Sequence, residues 1–203
     1  MTHPTGEYDT EEDDIALMLR VKEGDETAFE VLVERHKLRI VGTVAKMLGS
    51  DADSEDVAQQ AFVRVWQSRA RYNPTAQFTT WLLTITRNLV FNEMRRRRRA
   101  PTVPLERDDD GDHAPREWPD ASAISPSHGI QEAELQEAIA AAIASLPEAQ
   151  RMAIILRRYE EMPYEEIAVV LETSVPSVKS LLFRARNDLK EKLAAHFEGG
   201  FRG

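Results

Sequence analysis

Apolar residues recur along this chain at helical spacing, in blocks separated by turn-forming residues. The first block covers residues 15–47, with a break at Gly24 and Asp25. A second block covers 53–66, and a third runs from Phe78 into five consecutive arginines. Sustained alternation of β-branched residues, which would indicate strands, does not occur. The pattern therefore predicts an all-α protein.

Residues 100–130 differ from the rest in composition, because they are rich in Pro, Asp, Ser, Gly and His. Their prolines interrupt any helix, and their apolar content is too low for a core. This segment is expected to be a flexible acidic linker between two small helical domains. The predicted division is an acidic N-terminal tail (1–14), an N-terminal domain (15–99), the linker (100–130), a C-terminal domain (131–198) and a C-terminal tail (199–203).

Residues 163–193 carry the pattern of a helix-turn-helix. A short apolar helix at 163–171 is followed by a break at 172–174 and then by a longer helix. Ser174 is a favourable N-cap, and Pro176 is tolerated in a first helical turn. In such a motif the second helix enters the major groove of DNA.

The second helix of this motif has two distinct faces at 100° per residue. The apolar face is formed by Val178, Leu182, Ala185, Leu189 and Leu193. The opposite face and its flank carry groups that can bind base edges and phosphates, namely Lys179, Ser180, Phe183, Arg184, Arg186 and Asn187. The alternative interpretation is a solvated basic face on an ordinary bundle helix.

The block at 78–92 is apolar on more than one side, which is typical of a central core helix or of a helix shared with a partner. The residues alone favour neither interpretation. The arginines at 95–99 follow this aromatic-rich helix directly. Phosphate attraction beside stacking surfaces is the combination that single-stranded nucleic acid requires.

The net charge of −9 argues at first against nucleic acid as a partner, but the charges are segregated. Residues 1–14 contain six acids and no Lys or Arg, and 100–130 is acidic again. Screening limits the reach of distant charges to about 8 Å at physiological salt, so a local basic patch can still bind phosphates.

Several protein classes are excluded or disfavoured by composition. The chain has no Cys, which excludes disulfides and thiolate zinc sites. It contains no apolar run of membrane-spanning length, and its acidic N-terminus does not resemble a signal peptide, so a cytoplasmic location is expected. The five His are scattered, and phosphate loops or nucleophile elbows are not found. We therefore expect no catalytic residues, no metal and no cofactor.

Several motifs together resemble the extracytoplasmic-function (ECF) sigma factors. Those that resemble sigma region 2 are GDETAF (24–29), DVAQQAF (56–62), FTTWL (78–82) and ITRN (85–88). Those that resemble region 4 are LPE (146–148), YEEIA (164–168) and SVKSLLFRAR (177–186). Each piece is weak, but their order and spacing are specific.

The resemblance implies a subunit that binds core RNA polymerase, at the β′ clamp helices and the β flap, and directs promoter recognition, DNA melting and initiation. Region 2 would correspond to 15–99 and region 4 to 131–198. An anti-sigma factor is a common further partner in this family. In relatives the linker threads through the RNA channel, where Asp108, Asp109, Asp110 and Asp112 would mimic the negative charge of RNA. The alternative is a passive tether whose acids only keep it soluble and extended. The alternative function is a stand-alone helix-turn-helix DNA-binding regulator, which would leave 56–62 and 78–92 unexplained.

The resemblance also implies roles for individual residues. The helix that docks on polymerase would present Asp56, Gln59, Gln60 and Phe62. The loop 71–77 and the helix after it match the element that captures a flipped-out base of the minus-ten motif, with candidate DNA contacts Tyr72, Asn73, Phe78, Trp81 and Asn88. In region 4, the positions that contact the minus-thirty-five element are matched by Lys179, Ser180, Phe183 and Arg184, and the helical angle adds Asn187.

The chain departs from the family pattern at a few of these positions. Gln60 replaces a frequent Glu, Asn73 and Pro74 replace Arg-Gly, and Lys179 stands where relatives often carry Arg. Since Lys lacks the planar bidentate grip of Arg on guanine, the recognised upstream element is expected to differ from that of relatives.

Overall fold

The fold is described by a computed structural model for residues 13–99 and 126–200, with side chains for 13–99 and 134–194. The described residues are helical throughout and contain no strand, which confirms the all-α prediction. The helices are α1 (Asp14–Lys22), α2 (Glu26–Leu48), α3 (Ser54–Ser68), α4 (Phe78–Arg99), α5 (Pro126–Ala144), α6 (Glu148–Arg158), α7 (Tyr164–Val170) and α8 (Val175–Gly200), with one 3-10 turn at Arg69–Arg71.

Helices α1 to α4 make up the part of the chain predicted as the N-terminal domain, and side-chain caps fix where α1 and α2 begin. Asp13 accepts a hydrogen bond from the Ile15 amide at the start of α1 (3.4 Å). Asp25 accepts one from the Ala28 amide at the start of α2 (3.1 Å). Such caps satisfy amides that have no partner within the helix. Two residues of the predicted acidic tail, Asp13 and Asp14, therefore take part in the fold.

Helix α4 is central, as one of the two interpretations of its apolar pattern predicts. Buried side chains lie on several of its sides, and it packs against α1, α2 and α3 as well as against α7 of the C-terminal domain. A helix with packed neighbours on opposite sides needs apolar residues nearly all round. This arrangement explains why its sequence pattern has no single stripe.

Helices α5 to α8 form the C-terminal domain, with the interior-facing residues of α6 at its centre. Helix α5 begins at Pro126, inside the segment predicted as linker to residue 130. Proline suits a first helical position because it lacks an amide that would need a partner there. Helix α8 reaches Gly200, two residues into the predicted C-terminal tail. The remainder of the predicted tails and linker, at 1–12, 100–125 and 201–203, lies outside the described residues.

The two domains contact each other, and their buried apolar residues belong to one continuous cluster. Helix α2 packs against α5 and α6, and α4 packs against α7. Gly49 ends α2 with a φ of 73° and lies against the C-terminal domain. A Cβ added there would lie 3.1 Å from the Ala144 Cβ and 3.0 Å from Arg151 Nη1. Glycine is therefore required both by the backbone conformation and by the close approach of α5.

Candidate nucleic-acid and polymerase interfaces

Helix α8 is held by a short turn and an N-cap. The amide of Thr173 donates to the Ala168 carbonyl at 2.9 Å, which folds the chain back after α7. Ser174 Oγ then accepts a hydrogen bond from the Ser177 amide at 3.3 Å, as its N-cap position predicts. Val178, Leu182 and Ala185 are buried, so one face of α8 is fixed against the domain core.

The opposite face of α8 is open to solvent. The residues predicted on this face and its flank are all exposed, namely Lys179, Ser180, Phe183, Arg184, Arg186 and Asn187. Phe183 is 65% exposed, which is unusual for a large apolar ring. Buried and exposed faces on opposite sides, as predicted, give a helix that can enter a groove without disturbing its own packing.

Helix α3 presents a mostly polar outer face near its N-terminus. Asp56, Gln59 and Gln60 are exposed there, and Val63 adds an apolar surface that is 48% exposed. Phe62 does not belong to this face, because its ring is buried in the domain core. The sequence-based set for polymerase docking thus contains three surface residues and one core residue.

The aromatic residues before and within the first turns of α4 form an internal cluster. Tyr72 and Phe78 are each 1% exposed, and the ring of half-buried Trp81 lies 5.2 Å from Tyr72 and 6.4 Å from Phe78. Burial raises the pKa of the Tyr72 phenol, which keeps it neutral. The sequence placed Tyr72 and Phe78 on a DNA surface, whereas the structure places them in the interior. Asn73 is exposed in the loop between them.

Asn88 is exposed on α4, and its neighbour Arg87 connects it to the C-terminal domain. Arg87 Nη1 donates to Asn88 Oδ1 at 2.6 Å, and Nη2 donates to the Leu171 carbonyl at 2.8 Å. The same guanidinium pairs with Glu172 at 3.2 Å and lies 5.0 Å from the centre of the Phe91 ring. Sequence reasoning did not select Arg87, although it stands within the ITRN motif.

The arginines that end α4 are partly neutralised by acids. Arg96 and Arg97 both pair with Glu93, at 2.7 and 3.0 Å, and the hydrogen bond from Arg96 lowers the pKa of the Glu93 carboxyl. Arg97 also pairs with Asp53 at 3.0 Å, while Arg98 pairs with Glu148 of α6. Within the described residues, the net positive charge around this run is therefore smaller than the five arginines indicate, because the paired acids offset part of it.

A polar cluster joins α2 to the turn after α6. The Glu160 side chain is 2% exposed and accepts hydrogen bonds from Arg39 Nε at 2.6 Å and from Thr43 Oγ1. Beside it, Lys46 Nζ lies 4.9 Å from the centre of the Tyr159 ring, and burial lowers the pKa of this ammonium. No sequence signal pointed to this cluster, because its two halves, on α2 and after α6, are more than a hundred residues apart in sequence.

Another ion pair is internal to the N-terminal domain. Asp14 accepts from His36 Nε2 at 2.7 Å and pairs with Arg35 at 3.0 Å. The hydrogen bond from His36 lowers the pKa of the Asp14 carboxyl, with Arg35 contributing further. Among the described residues, no group of three His, Asp or Glu could hold a metal ion. In the same part of the chain, no helix is both long and apolar enough to cross a bilayer.

Two family models match the chain, in the order that the motifs predicted. The model for sigma-70 region 2 matches residues 32–100, and the model for sigma-70 region 4 matches residues 136–189. The first match contains the exposed face of α3 and all of α4. The second contains the helix-turn-helix and the exposed face of α8.

Similar proteins align with almost the whole chain. The RNA polymerase sigma-H factor of Pseudomonas aeruginosa is 32% identical over 91% of this chain and 95% of its own length. The ECF RNA polymerase sigma-E factor of Escherichia coli K12 is 32% identical over 89% of this chain and 94% of its own length. These alignments include both domains.

Solved structures show the same fold. The structure of CnrH in complex with the cytosolic domain of CnrY matches with a TM-score of 0.65 at 24% identity, covering 90% of this chain and 97% of that one. The sigma factor RpoE in complex with the anti-sigma factor NepR from Bartonella quintana matches with a TM-score of 0.63 at 22% identity, covering 82% and 96%.

The two matched sigma-70 regions contain the exposed faces of α3 and α8, so the comparisons and the structure indicate the same function. Sigma factors bind core RNA polymerase and promoter DNA, and both regions used for this are present here in order. A stand-alone helix-turn-helix regulator would account for the C-terminal domain only. The chain therefore belongs to the extracytoplasmic-function sigma factors, as an alternative sigma factor that directs transcription initiation.

Proposed function

We propose that this sigma factor acts through binding and catalyses no reaction itself, and that its contacts are divided among three helices. Helix α3 binds core polymerase, α4 with the loop before it binds the minus-ten element, and α8 binds the minus-thirty-five element. The observation that carries the proposal is the two-faced character of α8, whose polar face and exposed Phe183 lie opposite the buried Val178, Leu182 and Ala185. Because core polymerase acts in the cytoplasm, the protein acts there too.

The polymerase contact is assigned to the exposed residues of α3. Asp56, Gln59 and Gln60 face solvent on the helix that resembles the family's β′ clamp-binding element, and exposed Val63 adds apolar area beside them. Phe62 supports this face from below by packing in the core. The C-terminal domain is assigned to the β flap on the resemblance of its region 4 motifs.

The minus-ten contact is assigned to the exposed residues around the start and middle of α4. Asn73 and Asn88 supply polar groups, and half-buried Trp81 supplies ring surface. Capturing a flipped base costs a few kcal/mol of lost stacking, which contacts of about 1–3 kcal/mol with an aromatic ring can offset. Tyr72 and Phe78 act as positioning residues that hold Trp81 from inside the domain.

An anti-sigma factor is the proposed regulatory partner. The similar structures contain CnrH with the cytosolic domain of CnrY and RpoE with the anti-sigma factor NepR. Because this chain shares their fold over both domains, the same type of partner fits it. Such a protein would compete with core polymerase or promoter DNA for the surfaces named above.

The test separates the polymerase contact from the upstream DNA contact. Arg184→Ala removes a charge from the exposed face of α8, so promoter affinity of the holoenzyme falls while core binding is retained. Asp56→Lys reverses a charge on α3, so core affinity falls. Since both residues are exposed, folding stability changes by no more than about 0.5 kcal/mol in either variant.

Core binding is measured by pull-down and promoter binding by fluorescence anisotropy with a promoter fragment, with circular dichroism as the folding control. Loss of core binding in the Arg184→Ala variant would contradict the division of contacts. An unfolded Asp56→Lys variant would show that Asp56 is structural and does not serve polymerase docking.

A further inference from the structure

The loop that carries Asn73 is held at its two ends. At one end, Tyr72 leaves the 3-10 turn in an extended conformation (φ −61°, ψ 130°), and its ring is buried. At the other end, the ring of Phe78 is buried at the start of α4. Among the described residues, no hydrogen bond joins 73–76 to any other part of the domain. The conformation of this mostly exposed loop therefore depends on how its ends are fixed.

Helix α1 holds the first of these ends directly. Lys22, in the last turn of α1, donates a hydrogen bond from Nζ to the Tyr72 carbonyl at 3.1 Å, across 50 positions of sequence. The helix itself is fixed in the domain core by buried Leu17, Met18 and Val21, so the ammonium is presented from a packed element. Because the contact is partly buried, water competes with it less than at an open surface.

The same helix reaches the second end of the loop through one imidazole ring. Asp14, at the start of α1, accepts a hydrogen bond from His36 Nε2 at 2.7 Å. The centre of the His36 ring lies 5.3 Å from that of Phe78. Helix α1 therefore fixes both ends of the loop. The match to sigma-70 region 2 begins at residue 32, after α1, so it assigns no role to this helix.

We propose that Lys22 is a positioning residue for minus-ten recognition, which sets the orientation in which Asn73 meets the captured base. Its ammonium fixes the direction of the peptide between Tyr72 and Asn73. Pro74 restricts the backbone of Asn73 to the extended region, so the direction of that peptide decides where the Asn73 side chain points. The proposal rests on the proposed assignment of this loop to the minus-ten element. It adds a residue outside the loop that determines how well the loop discriminates between bases.

Two other roles for Lys22 would have different consequences. An ammonium that binds a DNA phosphate strengthens binding to every sequence, because the contact releases counterions whatever the bases are. An ammonium that only stabilises the domain affects core binding and promoter binding together. A positioning residue instead changes how strongly the affinity depends on one base, and neither of the other roles has that effect.

The experiment compares Lys22→Met with Lys37→Met in the full chain, assembled with core polymerase. Met keeps an unbranched side chain and removes the donor and the charge. Lys37 is the matched control, because it lies on α2 of the same domain and its ion pair is local, with Glu34 at 2.6 Å. Loss of a single hydrogen bond is too small to unfold the domain, and circular dichroism verifies that both variants are folded.

The probe is a labelled promoter fragment from which the wild type initiates, left unpaired across the minus-ten block so that melting does not contribute. Each base of the block on the non-template strand is replaced in turn by an abasic site. Fluorescence anisotropy gives the ratio of affinities for the intact and the abasic fragment, in which the uniform effect of a removed charge cancels. For the wild type, the captured base is the position with the largest loss, of roughly tenfold.

The proposal predicts that this loss shrinks to about twofold in Lys22→Met and stays at its wild-type value in Lys37→Met. Losses at the other positions, and core binding in a pull-down, are expected to be the same in both variants. An unchanged loss at the captured base in Lys22→Met would overturn the proposal, as would an equal change at every position.

Failure of the minus-ten assignment would have a different signature, which Asn73→Ala supplies. If the loop does not capture a base, Asn73→Ala leaves the loss at every position unchanged. If the assignment holds and only the role of Lys22 is wrong, Asn73→Ala reduces the loss at the captured base whereas Lys22→Met does not.

Discussion

Replacement of Phe183 by Ala removes the aromatic ring at the centre of the exposed face of α8. The ring is 65% exposed in the free protein. An aromatic side chain has about 200 Å² of surface, so about 130 Å² is available for a partner. At about 25 cal/mol per Å², complete coverage by DNA contributes at most about 3 kcal/mol. A groove contact that covers half of the ring contributes about 1.5 kcal/mol, or roughly tenfold in affinity.

The same exposure predicts that folding stability hardly changes. An exposed ring contributes little to the core, and Ala favours helix, so the free energy of unfolding is expected to shift by no more than about 0.5 kcal/mol. Leu38→Ala is a matched control, because Leu38 is 78% exposed on α2 and lies outside the proposed DNA surfaces. Its effect on promoter affinity is expected to be negligible.

The assay is fluorescence anisotropy of reconstituted holoenzyme with a labelled promoter fragment from which the wild type initiates, together with urea unfolding of the free proteins. The reasoning requires a loss of promoter affinity for Phe183→Ala without a loss of stability. It is refuted if Phe183→Ala and Leu38→Ala bind the promoter equally well. It is also refuted if Phe183→Ala lowers the free energy of unfolding by more than about 1 kcal/mol.

Two further predictions concern stability, and urea unfolding measures both. Asp14→Asn is expected to lower the free energy of unfolding by about 1–2 kcal/mol at pH 7. Because the pKa of Asp14 is lowered below its ordinary value of 3.8, the loss in the variant is expected to shrink as pH falls below about 4 and through the folded-state pKa. A loss that grows in acid would contradict the pairing with His36. Gly49→Ala combines strain in the left-handed backbone region with crowding against Ala144, so it is expected to lower the free energy of unfolding by about 2 kcal/mol. Gly24→Ala is the control, because its φ is 97° but the space around it is open, and it is expected to cost about 1 kcal/mol. Equal losses in the two variants would show that the close approach of α5 has no energetic effect.

Much of the fold could be predicted because helical periodicity is a local property. The apolar stripe of α8 predicted both its buried face and its exposed face, and Ser174 marked its start. The breaks at Gly24 and Asp25 likewise separate α1 from α2. In each case residues only a few positions apart determine the face or the end of a helix, so the sequence pattern is enough to predict it.

The aromatic candidates show where local patterns fail. Tyr72, Phe78 and Phe62 occur in motifs assigned to binding, but an aromatic residue that stacks on a base and one that fills a core look the same in sequence. The structure separates them through packing, since each is buried against residues from other helices. Trp81 and Asn73 remain accessible, so the surface at the start of α4 is smaller than predicted.

The contacts between the domains could not be predicted at all. Arg39 and Glu160 are separated by 121 positions, and Arg87 reaches the Leu171 carbonyl across 84. Pairings of this kind depend on the relative placement of whole domains, which neither periodicity nor local charge determines. The partial neutralisation of the arginine run could not be predicted for the same reason, because Glu148 and Asp53 approach it only in the folded protein.

Transcription by core RNA polymerase with and without this protein tests the central claim most directly. The template is fragmented DNA of the source genome, and start sites are mapped by sequencing the transcripts. The account predicts start sites that require the protein and that share one sequence block near minus ten and another near minus thirty-five. Arg184→Ala should reduce transcription from these sites while the holoenzyme still assembles. A set of start sites identical to that of core polymerase alone would contradict the account.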